Sequence, residues 1–349
     1  MNEKTNMIDI EKTNYESVVL SSKTGYIRNL KNYPFSRWLT KKELHETCEK
    51  IENVIYKYID SDKIEKINLS NADFIEKLFL KENNILFKDI EKDRDFQIVY
   101  LCNEKKVSII INDDDHINIV NVEDGFKVDE SFSYIENIDN LLSKDLSYAF
   151  SEEFGFLTSS PTNLGTGFKC SVMLHLPALV LSDMIGDILH SISQYNLSFR
   201  GYYGESNEFV GEFFQISNEV SLGKTSEDIL ENIKTVILQI IEKEIDKRKN
   251  IFSENSNLID DYIWRSYGVL SNVRRISSIE AVKLLSRIRL GIDKGFFRKL
   301  SHSDLNKLLI DIQPAHLQYA GGSRMNANLR DILRADILRN KFSNLLTNN

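Results

Sequence analysis

Two rhythms of apolar and polar residues run along this chain. From Phe96 to Val122 the period is two, in FQIVYLCN, VSIIIN and INIVNV, with the acidic turn Asp113-Asp114-Asp115-His116 before the last of them. Strand side chains alternate between faces, so these runs predict short strands, and the tight turns between them predict antiparallel pairing. Ser17 to Leu20 is a further β-prone run. Val172 to Leu176 reads as a buried strand entered from a turn-rich stretch, Ser160 to Gly167. Elsewhere the period lengthens to that of a helix. Arg37 to Ile59 carries Leu39, Leu44, Cys48, Ile51, Val54 and Ile55 at helical spacing, and Leu181 to Tyr195 carries Met184, Ile185, Ile188, Leu189 and Ile192. A third helix opens at Thr225, where Asp228 three residues on gives a capping-box-like start. Its buried face runs from Ile229 through Ile233, Val236, Ile237, Ile240 and Ile241 to Ile245.

The apolar rhythm lapses in KRKNIFSENSN, Lys247 to Asn257, which predicts a boundary. Beyond it the pattern is helical throughout, over Ser278 to Leu290, Ser301 to Ile312 and Asn328 to Leu345, each opening on a Ser or Asn cap candidate. No internal repeat or low-complexity tract interrupts this order, and residues 1 to 16 are polar and read as loose. The expected fold class is therefore α+β: an antiparallel sheet flanked by helices over residues 17–248, followed by an all-helical domain over 258–349.

Composition narrows the partners. A chain of 349 residues can bury a large core, and 44 Lys and Arg against 52 Asp and Glu leave a net charge of −8. That balance argues against a general nucleic-acid surface. Three cysteines, Cys48, Cys102 and Cys170, lack CxxC spacing, so neither a disulfide framework nor a zinc site is expected and the thiols read as reduced core groups of a cytoplasmic protein. The polar N-terminus and the lack of any apolar run of about 18 residues point away from secretion and membrane spanning.

Candidate chemistry gathers around Phe154 to Pro177. Ser160-Pro161-Thr162-Asn163 and Gly165-Thr166-Gly167 offer backbone N–H groups and hydroxyls that suit an anion, with Lys169 beyond them as a point charge; on chemistry alone such a loop is more often just a connection. The three consecutive aspartates read as a solvated turn, because neighbouring side chains diverge and do not converge on a metal. His175 and His190 read as core or edge residues, and Trp38 and Trp264 as packing residues.

The words PTNLGTG, SVMLHLPAL, RGYYGE and QISNEVSLGKTSEDI, in that order, resemble the ATP:guanido phosphotransferases, and within them the bacterial protein-arginine kinases. The likeness spans Val18 to the C-terminal helix. It implies transfer of the γ-phosphate of ATP, with Mg²⁺, to arginine side chains of proteins, in stress response and protein quality control. By the same resemblance Asp114 and Glu205 are the catalytic acids that orient the acceptor. The nucleotide would be held by Ser21, Ser22, Lys23, Thr24 and Gly25, by Asn118, by Lys169, Cys170, Ser171, Val172 and Met173, and by Arg200, Gly201, Tyr202, Tyr203 and Gly204. The family's phosphate-binding arginines are thinned. Lys23, Gly25, Asn118 and Lys169 stand where four of them are expected, and only Arg200 is kept; Lys23, Lys169, Arg28 and Arg37 are the candidates to compensate. Ser160 replaces a reactive cysteine, and Leu78 falls near the place of a family histidine. Arg330-Asp331-Ile332-Leu333-Arg334-Ala335 resembles the RDxxRA motif for phosphoarginine. At i and i+4 on a helix, Arg330 and Arg334 are expected to meet one phosphate while Asp331 pairs with the guanidinium. The implied partners are proteins bearing arginine or phosphoarginine, a zinc-binding activator protein, a stress-gene repressor, the Clp protease and further copies of the chain, with no nucleic acid and no membrane. The thinned arginines leave a second reading, an impaired kinase acting as a phosphoarginine-binding adaptor.

Overall fold

The computed structural model describes residues 15–86, 95–102, 107–203, 209–343 and 345. Eight strands form one antiparallel sheet in the order β2-β3-β4-β5-β1-β8-β10-β9. They are β1 (Val19–Arg28), β2 (Ile64–Asn68), β3 (Ile98–Cys102), β4 (Val107–Ile111), β5 (Ile117–Asp124), β8 (Phe168–His175), β9 (Leu197–Gly201) and β10 (Phe213–Asn218); a two-stranded ribbon, β6 (Phe150–Ser151) and β7 (Gly155–Phe156), lies apart. The meander β3-β4-β5 is the alternating run of the sequence, closed by the acidic turn. Ser21 to Gly25 lie inside the ten residues of β1, so that strand extends well beyond the expected Ser17 to Leu20 run.

One face of the sheet is apolar and is covered by helices α1 (Lys41–Tyr58), α3 (Val128–Leu142), α5 (Ile185–Ser193) and α6 (Ser226–Glu254). Their spacing follows the predicted stripes, and α1 and α6 begin on Thr40 and Thr225 with complete capping boxes. The helix expected over Leu181 to Tyr195 is shortened to α5, and a separate short helix, α4 (Pro177–Leu181), precedes it. Asp183 takes a left-handed backbone, φ 55°, which interrupts the hydrogen-bond ladder between them. On the opposite face a small cluster, Leu69, Leu80, Val99, Ile110 and Val120, seats α2 (Phe74–Glu82) over strands β2 to β5.

The helical half contains α7 (Ser256–Asn272), α8 (Ser278–Asp293), α9 (His302–Asp311), α10 (Pro314–Ala320) and α11 (Ala327–Phe342) around its own apolar cluster. The helix caps are Ser277, Ser301 and Asn326, one or two residues earlier than the sequence suggested for the first and last. The stretch Lys247 to Glu254 is helical, not a break. Arg248 is buried there because its guanidinium bridges Glu244 (2.7 Å) and Asp293 (2.6 Å), so the charged stretch joins the two halves from inside and the chain leaves the helix at Asn255. Cys48, Cys102 and Cys170 are buried free thiols. Trp264 packs against Tyr267, Phe296 and Phe297, whereas Trp38 departs from expectation and stands on the surface. His175 is a core residue and His190 is exposed.

Candidate active site

Strand alternation sorts the expected nucleotide residues into two sets. The register Lys23↔Ser171, Ser171↔Ser217 and Ser217↔Ser198 runs across β1, β8, β10 and β9, beside Ser21↔Met173, Met173↔Gln215 and Gln215↔Arg200. Residues in these rows share the face turned away from the main core. That face is polar and in large part accessible: Ser21, Lys23, Lys169, Gln215, Ser217 and Ser198 are half-buried, Arg200 is exposed, and the Ser198 and Ser217 hydroxyls lie 3.1 Å apart. Gln215, Ser217 and Ser198 were not among the expected site residues, although the alternation of LSFR and QISN carried the signal.

The intervening residues face the helices. Ser22 Oγ donates to the Gly125 carbonyl and accepts from Lys127 N–H, the Thr24 and Ser131 hydroxyls meet at 2.7 Å, and Cys170 and Val172 are core side chains. The side chains of these four point inward, because a period of two puts neighbours on opposite faces. Gly201 is buried, Met173 packs toward the helical half, and Tyr202 lies against Phe213 with its hydroxyl donating to the Leu309 carbonyl at 3.4 Å. Tyr203 is half-exposed; Gly204 and Glu205 lie outside the described residues.

Charge on the polar face is concentrated. Lys169 pairs in register with Gly25, and its amine donates to the Glu219 carbonyl at 3.4 Å. Burial, then the Arg200 charge, pushes the Lys169 amine down to about 8. Lys23 donates to the Asn84 carbonyl at 2.5 Å, and burial holds its amine well below the ordinary lysine range. A Cβ at Gly25 would meet the Ile119 carbonyl at 2.8 Å, so the strand is closed to any larger residue there. Asn118 donates to Asp113 at 3.2 Å, while its buried Oδ1 has no partner. Arg28 does not compensate: its guanidinium is enclosed on Asp139 at 2.7 Å, donates to the Thr166 carbonyl, and lies 3.8 Å from the Phe156 ring centre. It fastens the Gly/Thr loop from beneath.

The three aspartates diverge as expected, but the turn is not solvated: Asp114 and Asp115 are buried on partners from distant segments. Asp113 accepts from Gln97 and Asn118, and Asp115 accepts from Asn29 Nδ2, Ser159 N–H and Ser159 Oγ. Asp114, 4% exposed, holds the Arg37 guanidinium at 2.8 Å. His116 fixes the turn, accepting from Leu30 N–H at Nδ1 while Nε2 lies 2.9 Å from the Pro34 carbonyl it can donate to. Burial pushes the His116 pKa down to about 4. Its folded value lies below the unfolded one, so the unfolded chain takes up the proton first as pH falls. Stability is therefore complete above about 6.5 and declines by about 3 kcal/mol toward pH 4 from this group. Urea unfolding over that window gives a steep acid slope in the wild type and a shallower one in His116→Asn; equal slopes assign the loss to other groups such as His175, which burial also holds well below its usual range.

On α11 the expected pair of arginines is split. Arg330 is half-buried and donates to the Met325 carbonyl. Arg334 is 1% exposed, donating to the carbonyls of Ile312 and Ile276 at 2.9 Å and to Asp331 at 2.6 Å. The first turn of α11 projects past its neighbours, whereas the second is enclosed by the end of α9 and the start of α8. The two guanidiniums are therefore not both presented to solvent, and Asp331 holds Arg334. Close by, α2 joins the halves: Glu82 accepts from Ala315 N–H and His316 N–H, and Phe79 stacks on Tyr319 at 4.8 Å.

The sheet half, over residues 46–247, matches the family described as ATP:guanido phosphotransferase, C-terminal catalytic domain. Residues 256–349 match the protein-arginine kinase McsB C-terminal domain. The protein-arginine kinase of Clostridium kluyveri is 37% identical over 336 residues, covering 95% of this chain and 97% of the relative. The chain belongs to the protein-arginine kinase branch of the ATP:guanido phosphotransferases. The protein-arginine kinase of Bacillus subtilis (strain 168) is 38% identical over 327 residues, covering 93% and 90%. Among solved structures, lombricine kinase superposes with a TM-score of 0.59 at 22% identity, over 66% of each chain. The duplicated taurocyamine kinase of Schistosoma mansoni gives 0.59 at 24%, over 66% of this chain and 33% of that one. These two likenesses show the guanidino-kinase sheet fold of this family member. No helix among its described residues is long and apolar enough to cross a membrane.

Proposed function

We infer that this chain transfers the γ-phosphate of ATP to arginine side chains of proteins. One observation carries the reading: a polar sheet face bearing the interacting cations Lys169 and Arg200 belongs to the sheet whose β4–β5 turn holds a nearly buried carboxylate, Asp114, already paired with a guanidinium. In-line phosphoryl transfer asks for positioning and for neutralisation of phosphate charge. Lys169, Arg200 and Lys23 hold the phosphates, and the partnerless Asn118 Oδ1 accepts from a donor of the bound nucleotide. Mg²⁺ carried in with the nucleotide would add further neutralisation of phosphate charge to that of Lys169, Arg200 and Lys23. Asp114, with Glu205 as second acid, orients the acceptor nitrogen. An N–P bond forms, the bond from γ-phosphorus to the ADP oxygen breaks, and the guanidinium gives up one proton.

The two family matches support dividing the chain into a catalytic domain, 17–248, and a helical phosphoarginine-binding domain, 258–349. In the second, phosphate is taken by Arg330, while Arg334, enclosed on the Ile312 and Ile276 carbonyls, holds Asp331 in place. Arg330→Ala weakens binding of an arginine-phosphorylated protein by about tenfold or more and leaves ATP affinity unchanged; equal changes in both, read by calorimetry, count against separate sites. The proposal extends, on family resemblance, to a zinc-binding activator protein, a stress-gene repressor, the Clp protease and self-association as partners. The buried free thiols suit the cytoplasm.

The deciding experiment follows label from Mg-ATP into an arginine-rich unfolded protein, with acid-lability marking phosphoarginine and Glu205→Ala as control. Transfer that vanishes in Glu205→Ala supports the kinase. No transfer with retained binding of phosphoarginine proteins returns the adaptor reading.

A further inference from the structure

A single 3-10 turn, Ser36–Trp38, sets two surface side chains of opposite character beside the acidic turn. Arg37 Nε donates to Asp114 Oδ1 at 2.8 Å, with its own side chain 56% exposed against 6% for Asp114. The Asp114 hydrogen bond and charge, with Asp113 and Asp115 behind, raise the Arg37 pKa. Trp38, the next residue, is 72% exposed, and its ring centre lies 5.9 Å from that of Phe35. The turn is anchored: Ser36 is buried, Trp38 N–H donates to the Phe35 carbonyl, and His116 Nε2 lies against Pro34. Beside it opens a cleft lined by Ser36, Arg37, Leu39, Leu44, Asp95 and Asn112.

A buried carboxylate needs a partner, and Arg37 supplies one of the same chemistry as the acceptor. Free arginine offers Asp114 the pairing it already has, and it competes with a guanidinium tethered at high effective concentration. An arginine inside a polypeptide brings its neighbours, and an apolar neighbour gains contact on the bare Trp38 ring. We propose that the Ser36–Trp38 turn is an acceptor gate that selects arginine within a polypeptide over the free amino acid. Arg37 holds Asp114 until a chain docked on Trp38 and the cleft displaces it. This rests on the reading of Asp114 as the acceptor carboxylate.

Calorimetric titration without nucleotide tests the gate apart from turnover, using arginine amide and an unstructured peptide with leucine beside a single arginine. The wild type binds the peptide more tightly than arginine amide. Arg37→Ala and Arg37→Gln tighten arginine amide about tenfold and narrow the gap, since the charged internal competitor is gone. Trp38→Ala weakens the peptide about three- to tenfold and leaves arginine amide unchanged. Unfolding curves confirm that each variant is folded, and Arg37→Gln keeps a donor on Asp114 should Arg37→Ala not fold. Arginine amide bound no more tightly by either folded Arg37 variant, or equal weakening of both ligands by Trp38→Ala, overturns the gate. Wild-type protein that binds neither ligand overturns the Asp114 reading itself, and the gate with it.

Discussion

Arg248→Ala lowers the stability of the protein by about 3–5 kcal/mol, the cost of leaving a buried carboxylate without its cation. Glu244 is fully buried, and its two oxygens accept from Ala178 N–H and Leu179 N–H at 3.0 Å as well as from Arg248 Nε. Arg248 also donates to the Ser17 and His175 carbonyls and to Asp293. One guanidinium thus joins α6 and α8 to the start of β1 and the end of β8. Urea unfolding checks the loss. The double variant Glu244→Gln with Arg248→Met recovers at least half of it, because the fully buried carboxylate is gone and Asp293 keeps His302 at 2.9 Å, while an amide oxygen still serves one N–H. An equal loss in the double variant would assign the effect to packing and not to charge.

Arg200→Ala slows phosphoryl transfer by about a hundred- to a thousandfold, the usual effect of removing one preorganised donor from a developing charge. A second consequence concerns pH. A lysine is cationic below its pKa, so with Lys169 at about 8 the affinity for ATP falls as pH rises past that value. Removing the Arg200 charge takes away one cause of the depression, so in Arg200→Ala the decline moves to higher pH although binding is weaker throughout. ATP titrations between pH 7 and 10 read both. A decline that stays in place would mean that Lys169 and Arg200 do not act on the same phosphates.

Local rules made much of the fold legible. The two apolar periods marked the strands and helices, and Thr225, Ser301 and the diverging aspartates behaved as local chemistry dictates. Composition placed three thiols in the core. Even the division of β1 and β8 into site and core residues follows from the strand period, since Lys23 and Thr24 must point apart. These features depend on residues a few positions away, whose geometry the backbone fixes.

Pairing and burial were decided elsewhere. Arg37 and Asp114 are 77 residues apart, Arg28 and Asp139 are 111 apart, and neither pair has a sequence signature. By type alone Arg28, Arg37, Arg248 and Arg334 are equivalent cations. In the folded chain Arg28 clamps a loop, Arg37 holds Asp114, Arg248 joins the two halves and Arg334 is enclosed by backbone carbonyls. Trp38 read as a packing residue and is bare for the same reason. The sequence by itself determined most of the elements, the caps at Thr225 and Ser301 and the family; which charges are used up inside and which face solvent was left to tertiary packing, because solvent exclusion and ion pairing are set by segments distant along the chain.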